Sequence, residues 1–167
     1  METVRRLARR GELPAFKVGK DWRFRIEALR RWTEGLQPHR DRPRILVLDD
    51  DAAIRELIQY HLTREGYEVL QCGNGQDGLS LLQSQSMDLI LLDLKMPGMN
   101  GGEVMRQMQV RGLSLPVIII TGYPDSDLVM EAMSYGPITL LAKPLSKNML
   151  LKAVRTELRE YLQPQAR

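Results

Sequence analysis

The stretch Leu89–Gly101, LILLDLKMPGMNG, joins an aliphatic run to a carboxylate and a loop rich in proline and glycine. Four aliphatic residues precede Asp93, which is typical of a strand buried on both faces of a sheet. Burial raises the free-energy cost of an ionised carboxylate. One acid at a strand end indicates little by itself, because such acids often only cap the next loop. The interpretation of Asp93 therefore depends on what the neighbouring strands place beside it.

Similar strand-like segments alternate with amphipathic helices along most of the chain. The predicted strands are 44–48, 67–72, 88–93, 117–121 and 138–142, and the predicted helices are 52–66, one through 79–82, 102–109, 126–135 and 146–162. Continuous Val, Ile and Leu runs, rather than strict alternation, indicate parallel strands covered by helices on both faces. We therefore predict an α/β fold with a five-stranded, parallel, doubly wound sheet and right-handed crossovers.

The composition describes one folded domain of ordinary size with a small appendage. The chain has 167 residues, 43% of them hydrophobic, which is enough to bury a core. No apolar run approaches the roughly 20 residues that span a bilayer, and the basic N-terminus is not followed by an apolar segment. We therefore expect no membrane partner and a cytoplasmic location. Cys72 is the only cysteine, which excludes an internal disulfide and a multi-cysteine metal site.

Charge divides the chain into two parts that are expected to have different partners. Residues 1–44 carry 13 Lys and Arg against 6 Asp and Glu, a net charge of +7, whereas residues 45–167 carry 11 against 15, a net charge of −4. The segment 35–44, GLQPHRDRPR, has the Pro, Gly and charge content of an exposed connector. The predicted organisation is a basic segment over 1–36, a linker over 37–43, the α/β domain over 44–162 and a tail over 163–167.

Polar side chains follow or end four of the predicted strands. They are Asp49, Asp50 and Asp51 after the first strand, Asp93 at the end of the third, Thr121 at the end of the fourth and Lys143 after the fifth. Because ligands gather beyond the carboxyl ends of parallel strands, these groups are expected to share one edge of the sheet. Acidic loops that only solvate strand ends explain each residue singly, but they explain the shared edge poorly.

The grouped carboxylates predict a cation site. Carboxylates a few ångströms apart repel each other, and a divalent cation removes that conflict. Oxygen ligands without Cys or His favour Mg²⁺ or Mn²⁺ over zinc. The Lys143 ammonium and the Thr121 hydroxyl add the groups needed to hold a phosphoryl group, with a carboxylate as the nucleophile.

Four motifs, in this order, resemble the receiver domain of two-component response regulators over about residues 43–162: RILVLDDD, DLILLDLKMPGMNG, VIIITGY and LLAKPL. The resemblance implies a flavodoxin-like receiver in which Asp93 accepts a phosphoryl group from a sensor histidine kinase or a phosphotransfer protein. The implied ligands of Mg²⁺ (or Mn²⁺) are Asp50 directly, Asp49 largely through a bound water, Asp93, and the backbone carbonyl of Lys95. Thr121 and Lys143 would contact the phosphoryl oxygens.

Two departures from the receiver pattern concern the switch. The family usually has an aromatic residue three positions before the lysine, where this chain has Leu140, so rotation of an aromatic ring cannot operate at that position. Gly136–Pro137 replaces a frequent Gly-Ala, and we expect it to stiffen the loop into the fifth strand. The Lys143–Pro144 bond is a candidate cis peptide by the same resemblance.

The first 36 residues resemble an excisionase-type winged helix-turn-helix, chiefly through RRLARRGELPAFKVGKDWRF. The segment 2–11 predicts a helix with a basic face, the segment 14–25 predicts a hairpin turning at Gly19, and a short helix follows through Trp32. The DNA contacts that the resemblance implies are Arg5, Arg6, Arg9 and Arg10 on the helix, with Lys17, Lys20 and Arg23 on the hairpin wing. That family begins with another helix upstream, so the segment is expected to be incomplete.

These patterns predict a response regulator that controls transcription through its N-terminal DNA-binding segment, and not an enzyme beyond its own phosphorylation and dephosphorylation. Phosphorylation is expected to change dimerisation or domain contacts. One alternative interprets VLDDD as the motif of a haloacid-dehalogenase-like phosphohydrolase, with Asp49 as nucleophile and Asp51 as acid/base, but it leaves Asp93 without a role. In the other alternative, the receiver signals only through protein contacts.

Overall fold

The computed structural model describes residues 15–18, 21–24, 42–136 and 138–162, and the chain divides into two units, residues 1–41 and 42–167. In the first unit, strands β1 (Ala15–Val18) and β2 (Asp21–Phe24) pair antiparallel. The two antiparallel strands of the predicted hairpin are therefore confirmed, and the turn predicted at Gly19 lies outside the described residues. The helices predicted on either side of it lie outside the described residues.

In the second unit, five strands and five helices alternate within residues 42–136 and 138–162. They are β3 (Arg44–Leu48), α1 (Ala52–Arg64), β4 (Glu68–Cys72), α2 (Gly75–Ser84), β5 (Leu89–Asp93), α3 (Gly101–Val110), β6 (Val117–Thr121), α4 (Asp127–Ser134), β7 (Thr139–Ala142) and α5 (Lys147–Leu162). The predicted order of elements is confirmed. Most bounds differ from the prediction by one or two residues, and α2 is longer than the stretch that was predicted.

The strands of this unit form one parallel sheet in the order β4-β3-β5-β6-β7. After β3 the chain adds β4 on one side and then returns to add β5 on the other. The carboxyl ends of β3 and β5 are neighbours, since Leu48 pairs with Leu92. This reversal is the position at which doubly wound sheets bind their ligands. It places Asp49 and Asp93 side by side.

Helices cover both faces of the sheet, as predicted. Along β3, β5 and β6, alternate side chains enter two separate cores. One core joins Leu46, Ile90 and Ile119 to α2, α3 and α4, and the other joins Val47 and other strand residues to α1 and α5. The three central strands are buried along their whole length except at Arg44, the first residue of β3, which explains their aliphatic runs.

Two helix starts fix the loops at the carboxyl edge of the sheet. Asp51 caps α1, because its side chain accepts hydrogen bonds from the Ala53 and Ile54 amides at 2.9 and 3.4 Å. Asn100 and Glu103 form a capping box at α3.

Among the described residues, no helix combines the length and apolar character needed to cross a bilayer.

Candidate functional site

Two buried carboxylates meet a lysine at the carboxyl edge of the sheet. Asp49, directly after β3, is 1% exposed, and Asp93, the last residue of β5, is 5% exposed. The Lys143 ammonium, which follows β7, lies 2.7 Å from Asp49 Oδ2 and 3.1 Å from Asp93 Oδ2. The structure therefore brings Asp49, Asp93 and Lys143 together at one edge of the sheet, as predicted.

The exposed Asp50 completes a group of three carboxylates. One oxygen from each of Asp49, Asp50 and Asp93 lies within 4.8 Å of the others. The donor set consists of oxygen atoms only, and the three carboxylates have one ammonium beside them, that of Lys143, which contacts Asp49 and Asp93. A hard divalent cation such as Mg²⁺ or Mn²⁺ fits both the ligand type and the excess of negative charge. The cluster could therefore hold the predicted ion.

Burial and charge act in opposite directions on the titration of these groups. Burial raises the pKa of Asp93, and this effect outweighs the opposing hydrogen bond and charge of Lys143. Burial by itself would lower the pKa of Lys143. The hydrogen bonds that Lys143 makes to Asp49 and Asp93 outweigh burial, so the pKa of Lys143 lies above its ordinary value. Lys143 therefore stays an ammonium, while Asp93 ionises less readily than an exposed aspartate.

The turn between β3 and α1 is held by a residue that the sequence analysis missed. Arg55 Nη1 donates hydrogen bonds to the carbonyls of Asp49 and Asp50 at 2.7 and 3.1 Å. The Asp51 amide also donates to Asp49 Oδ1 at 2.9 Å. The sequence gives one indication that Arg55 has a special role: it is a cationic residue near the start of α1, where the helix dipole disfavours positive charge. Asp51 thus serves as a helix cap and not as part of the carboxylate cluster.

Thr121 ends β6 beside Asp93. It is 1% exposed, and the preceding residue, Ile120, pairs with Asp93 across the sheet. Thr121 Oγ1 accepts a hydrogen bond from the Tyr123 amide at 3.0 Å, which leaves its own hydrogen free to donate elsewhere. The backbone amide of Lys143 also donates to the Thr121 carbonyl at 2.8 Å. Thr121 and Lys143 are therefore fixed to each other.

A second contact that the sequence analysis missed joins the loops after β5 and β6. The Lys95 amide donates to Asp93 Oδ1 at 3.3 Å, and the Lys95 ammonium lies 4.4 Å from the centroid of the Tyr123 ring. The role of the Lys95 carbonyl as a metal ligand stays a prediction. The Lys143–Pro144 peptide is cis, as the resemblance implied.

The residues predicted to contact DNA are only partly within the described structure. Lys17 lies on β1, and its pairing partner is Trp22; Arg23 lies on β2 and pairs with Phe16. The remaining predicted contacts lie outside the described residues: Arg5, Arg6, Arg9, Arg10 and Lys20. Their arrangement stays a prediction.

Comparison with known proteins defines the class. The response regulator receiver domain family matches residues 45–155, and a helix-turn-helix domain family matches residues 1–37. The chain belongs to the response regulator receiver domain family. Both resemblances inferred from the motifs are confirmed. Members of this family are response regulators, which disfavours the phosphohydrolase interpretation.

Individual relatives place the similarity mainly in the α/β unit. Sporulation initiation phosphotransferase F of Bacillus subtilis is 37% identical over 67% of this chain and 90% of its own length. Transcriptional regulatory protein AfsQ1 of Streptomyces coelicolor is 38% identical over 70% of this chain, but only 52% of its own length is covered. The chain therefore spans about half the length of several relatives that it matches.

A solved structure supports the same assignment. The response regulator receiver domain protein (CheY-like) from Methanospirillum hungatei is 30% identical and superposes with a TM-score of 0.68. The match covers 72% of this chain and 97% of that protein. The predicted flavodoxin-like α/β fold is confirmed by this similarity together with the parallel sheet.

Proposed function

We propose that this chain is the response regulator of a two-component phosphorelay and that Asp93 accepts a phosphoryl group from a histidine kinase or a phosphotransfer protein. One observation carries the proposal: a nearly buried carboxylate lies within 4.8 Å of two further acids and 3.1 Å from an ammonium. Such a set can bind a divalent cation and still keep a nucleophilic oxygen beside a fixed positive charge.

The residues of the chain have separate tasks in this proposal. An oxygen of Asp93 forms the bond to phosphorus, while the bond from phosphorus to the donor histidine nitrogen breaks and the nitrogen keeps the electron pair. Lys143 moves from the carboxylates toward a phosphoryl oxygen, and the Thr121 hydroxyl donates to another. Asp49, Asp50, Asp93 and the Lys95 carbonyl would hold Mg²⁺ or Mn²⁺. When bound, that ion supplies charge that offsets the carboxylates and the phosphoryl group.

The proposed output is control of transcription through DNA. The support is the net charge of +7 over residues 1–44 and the helix-turn-helix match over residues 1–37. The predicted domain bounds, 1–36, 37–43, 44–162 and 163–167, belong to this proposal, as does the cytoplasmic location. Phosphorylation of Asp93 would shift a receiver equilibrium that changes dimerisation or domain contacts.

A second candidate function is signalling through protein contacts alone. It is favoured by the similarity to sporulation initiation phosphotransferase F, 90% of whose length is covered by this chain, with the match mainly in the receiver. In that case the receiver would pass its phosphoryl group or its altered surface to another protein. The N-terminal segment would then have no role in DNA recognition.

Phosphorylation of the full chain by a small acyl phosphate and Mg²⁺ tests the first part of the proposal. Asp93→Asn should abolish the labile aspartyl phosphate, because the amide is not a nucleophile of this type. Asp88→Asn is the matched control, since Asp88 precedes β5 at the other end of the sheet, where its oxygen accepts a hydrogen bond from the Arg44 amide. Labelling of Asp93→Asn at the normal rate would refute the assignment, and phosphate on Asp49 would instead favour the phosphohydrolase.

Binding of the phosphorylated and unphosphorylated chain to duplex DNA tests the second part. Affinity should fall by about 0.9 log unit per log unit of salt for each phosphate contacted. A variant with Arg5, Arg6, Arg9 and Arg10 changed to Ala should lose most of this dependence. Arg64→Ala in the receiver is the control. Normal phosphorylation without DNA binding at low salt would favour signalling through protein contacts.

A further inference from the structure

Arg55 and Lys143 approach the acidic site in different ways. Lys143 contacts carboxylate oxygens, at 2.7 Å from Asp49 and 3.1 Å from Asp93. Arg55 instead contacts the backbone carbonyls of Asp49 and Asp50, at 2.7 and 3.1 Å from the same nitrogen, Nη1. Lys143 thus shares the oxygens that a cation would bind, whereas Arg55 leaves them free. The two cations cannot have the same effect on metal binding.

The guanidinium of the half-buried Arg55 lies between the loops that follow β3 and β4. A Cβ atom added at Gly73, in the loop after β4, would lie 3.4 Å from Arg55 Nη1 and 3.7 Å from its central carbon. The same two loops are joined by a hydrogen bond from the Asp49 amide to the Cys72 carbonyl, at 3.3 Å. The guanidinium therefore packs at van der Waals distance against the loop that carries Gly73 while it bonds to the acidic turn.

The position of the Arg55 guanidinium is electrostatically unfavourable in two respects. Arg55 lies in the first turns of α1, and its guanidinium points back toward the positive end of the helix dipole. Its charge also lies near the place where a divalent cation would bind, and like charges repel. Charge alone therefore predicts that Arg55 weakens cation binding. Its two hydrogen bonds predict the opposite, because they hold the backbone of two ligands.

We infer that Arg55 is a positioning residue for the divalent-cation site: it clamps the carbonyls of Asp49 and Asp50 so that both carboxylates face Asp93. The inference rests on the proposed function, since it concerns the same site. Without the clamp, the turn can rotate its peptide groups, and the two carboxylates must be ordered when the cation binds. The clamp removes that entropic cost in advance.

Mn²⁺ binding to the full chain, followed by the electron paramagnetic resonance signal of the free ion, tests the inference without phosphorylation. Arg55→Gln should raise the Mn²⁺ dissociation constant by about 10-fold or more, as for other groups that orient metal ligands. Arg55→Lys keeps the charge but replaces the rigid guanidinium with a strongly hydrated ammonium on a flexible stem, so it should weaken binding by a smaller factor. Arg64→Gln is the matched control, because Arg64 lies on the same helix and contacts Tyr60.

The sign of the change separates the two roles of Arg55. If Arg55 acted only through its charge, Arg55→Gln would bind Mn²⁺ more tightly than the wild type and Arg55→Lys would match it; either result overturns the inference. Thermal unfolding in excess EDTA shows that each variant is folded at the temperature of the titration. If Arg55→Gln does not fold, unchanged affinity in Arg55→Lys still overturns the inference.

The wild type separates failure of the inference from failure of the proposed function. A wild-type chain that does not bind Mn²⁺ would contradict the metal site, and with it the proposed phosphorylation chemistry. A wild type that binds Mn²⁺, with Arg55→Gln binding equally well, would contradict only the role of Arg55.

Discussion

The two ends of the parallel sheet both carry acids, but they use them differently. At the amino end, Arg44 Nε lies 2.8 Å from Glu68 Oε1, and the Arg44 amide donates to Asp88 Oδ2 at 2.6 Å. At the carboxyl end, one oxygen from each of Asp49, Asp50 and Asp93 lies within 4.8 Å of the others, and Asp49 and Asp93 share the ammonium of Lys143. Each amino-end acid contacts a separate donor of Arg44, whereas two carboxyl-end acids contact the same Lys143 ammonium.

Exposure separates the two ends further. The side chains of Arg44 and Glu68 are 26% and 43% exposed, and an ion pair in such a setting contributes about 0–1 kcal/mol. Asp49 and Asp93 are almost fully buried, so their charges are screened poorly by water. Burial combined with an excess of negative charge, and not acidity as such, therefore marks the functional end of the sheet.

The largest expected difference between the two ends is in cation binding. Asp49→Asn removes a buried carboxylate from the cluster, and the Mn²⁺ dissociation constant should rise by about 100-fold, since even groups behind the ligands contribute about 10–100-fold. Glu68→Gln at the other end should leave it unchanged. Both constants can be measured from the free Mn²⁺ resonance. Equal effects of the two variants would remove the distinction between the ends.

Close packing at the carboxyl end should appear as a stability effect. A Cβ atom at Gly101 would lie 2.6 Å from the Asp93 carbonyl oxygen and 2.8 Å from the Leu94 Cα atom, so backbone would have to move. Gly101→Ala should lower the free energy of unfolding by about 1–3 kcal/mol in urea titrations. Gly122→Ala, which faces open space, is the control. An unchanged urea midpoint for Gly101→Ala would show that α3 can shift away from Asp93 and Leu94 at little cost in free energy.

The pH dependence of stability should also differ between the ends. Because burial raises the pKa of Asp93, the folded state binds a proton more tightly than the unfolded state. Metal-free stability then falls as pH rises from the ordinary value of 3.8 through the raised pKa. In EDTA, Asp93→Asn should therefore gain stability relative to the wild type as pH rises across that range.

Urea unfolding at several pH values measures this difference, and Asp88→Asn is the control. Asp88 accepts a hydrogen bond from the Arg44 amide, so its replacement should give no gain in stability at neutral pH. A constant difference between Asp93→Asn and the wild type at all pH values would contradict the raised pKa.

The smallest effect is expected for the exposed ion pair at the amino end. Glu68→Gln should lower the free energy of unfolding by less than about 1 kcal/mol, and the loss should shrink as salt is added. Urea unfolding at low and high salt measures it. A larger loss of stability that does not depend on salt would show that Glu68 contributes more than an exposed ion pair does.

Most of the fold could be predicted because burial on both faces dictates composition. The central strands β3, β5 and β6 each contain four consecutive aliphatic residues, and this run is enough to predict them from the sequence. The rule is weaker at the edge strand β7, where Leu140 is 38% exposed although it lies in the aliphatic run ITLLA. A strand with one neighbour and incomplete cover cannot be distinguished from a central strand by composition alone.

The candidate site could be predicted as far as topology determines it. Parallel strands place their carboxyl ends together, so Asp49, Asp93, Thr121 and Lys143 follow from strand positions. The contacts of Arg55 and Tyr123 do not follow, because they depend on which way a long side chain folds over a turn. Sequence spacing alone gives no information about that direction. The sequence therefore predicts the residues that form the site, and the structure adds the residues that support them, Arg55 and Tyr123.

The contact between Lys95 and Tyr123 gives the receiver an optical reporter. At an exposed site, an ammonium over an aromatic ring contributes about 0.5–1 kcal/mol, less than the roughly 1.5–3 kcal/mol of a hydrogen bond to a charged group. An anion arriving beside Asp93 would therefore draw the Lys95 ammonium from the ring, which is 4.4 Å away and belongs to a residue 58% exposed. The ultraviolet absorbance of Tyr123 would then change with occupancy, as a difference on the absorbance of the four other tyrosines and the two tryptophans.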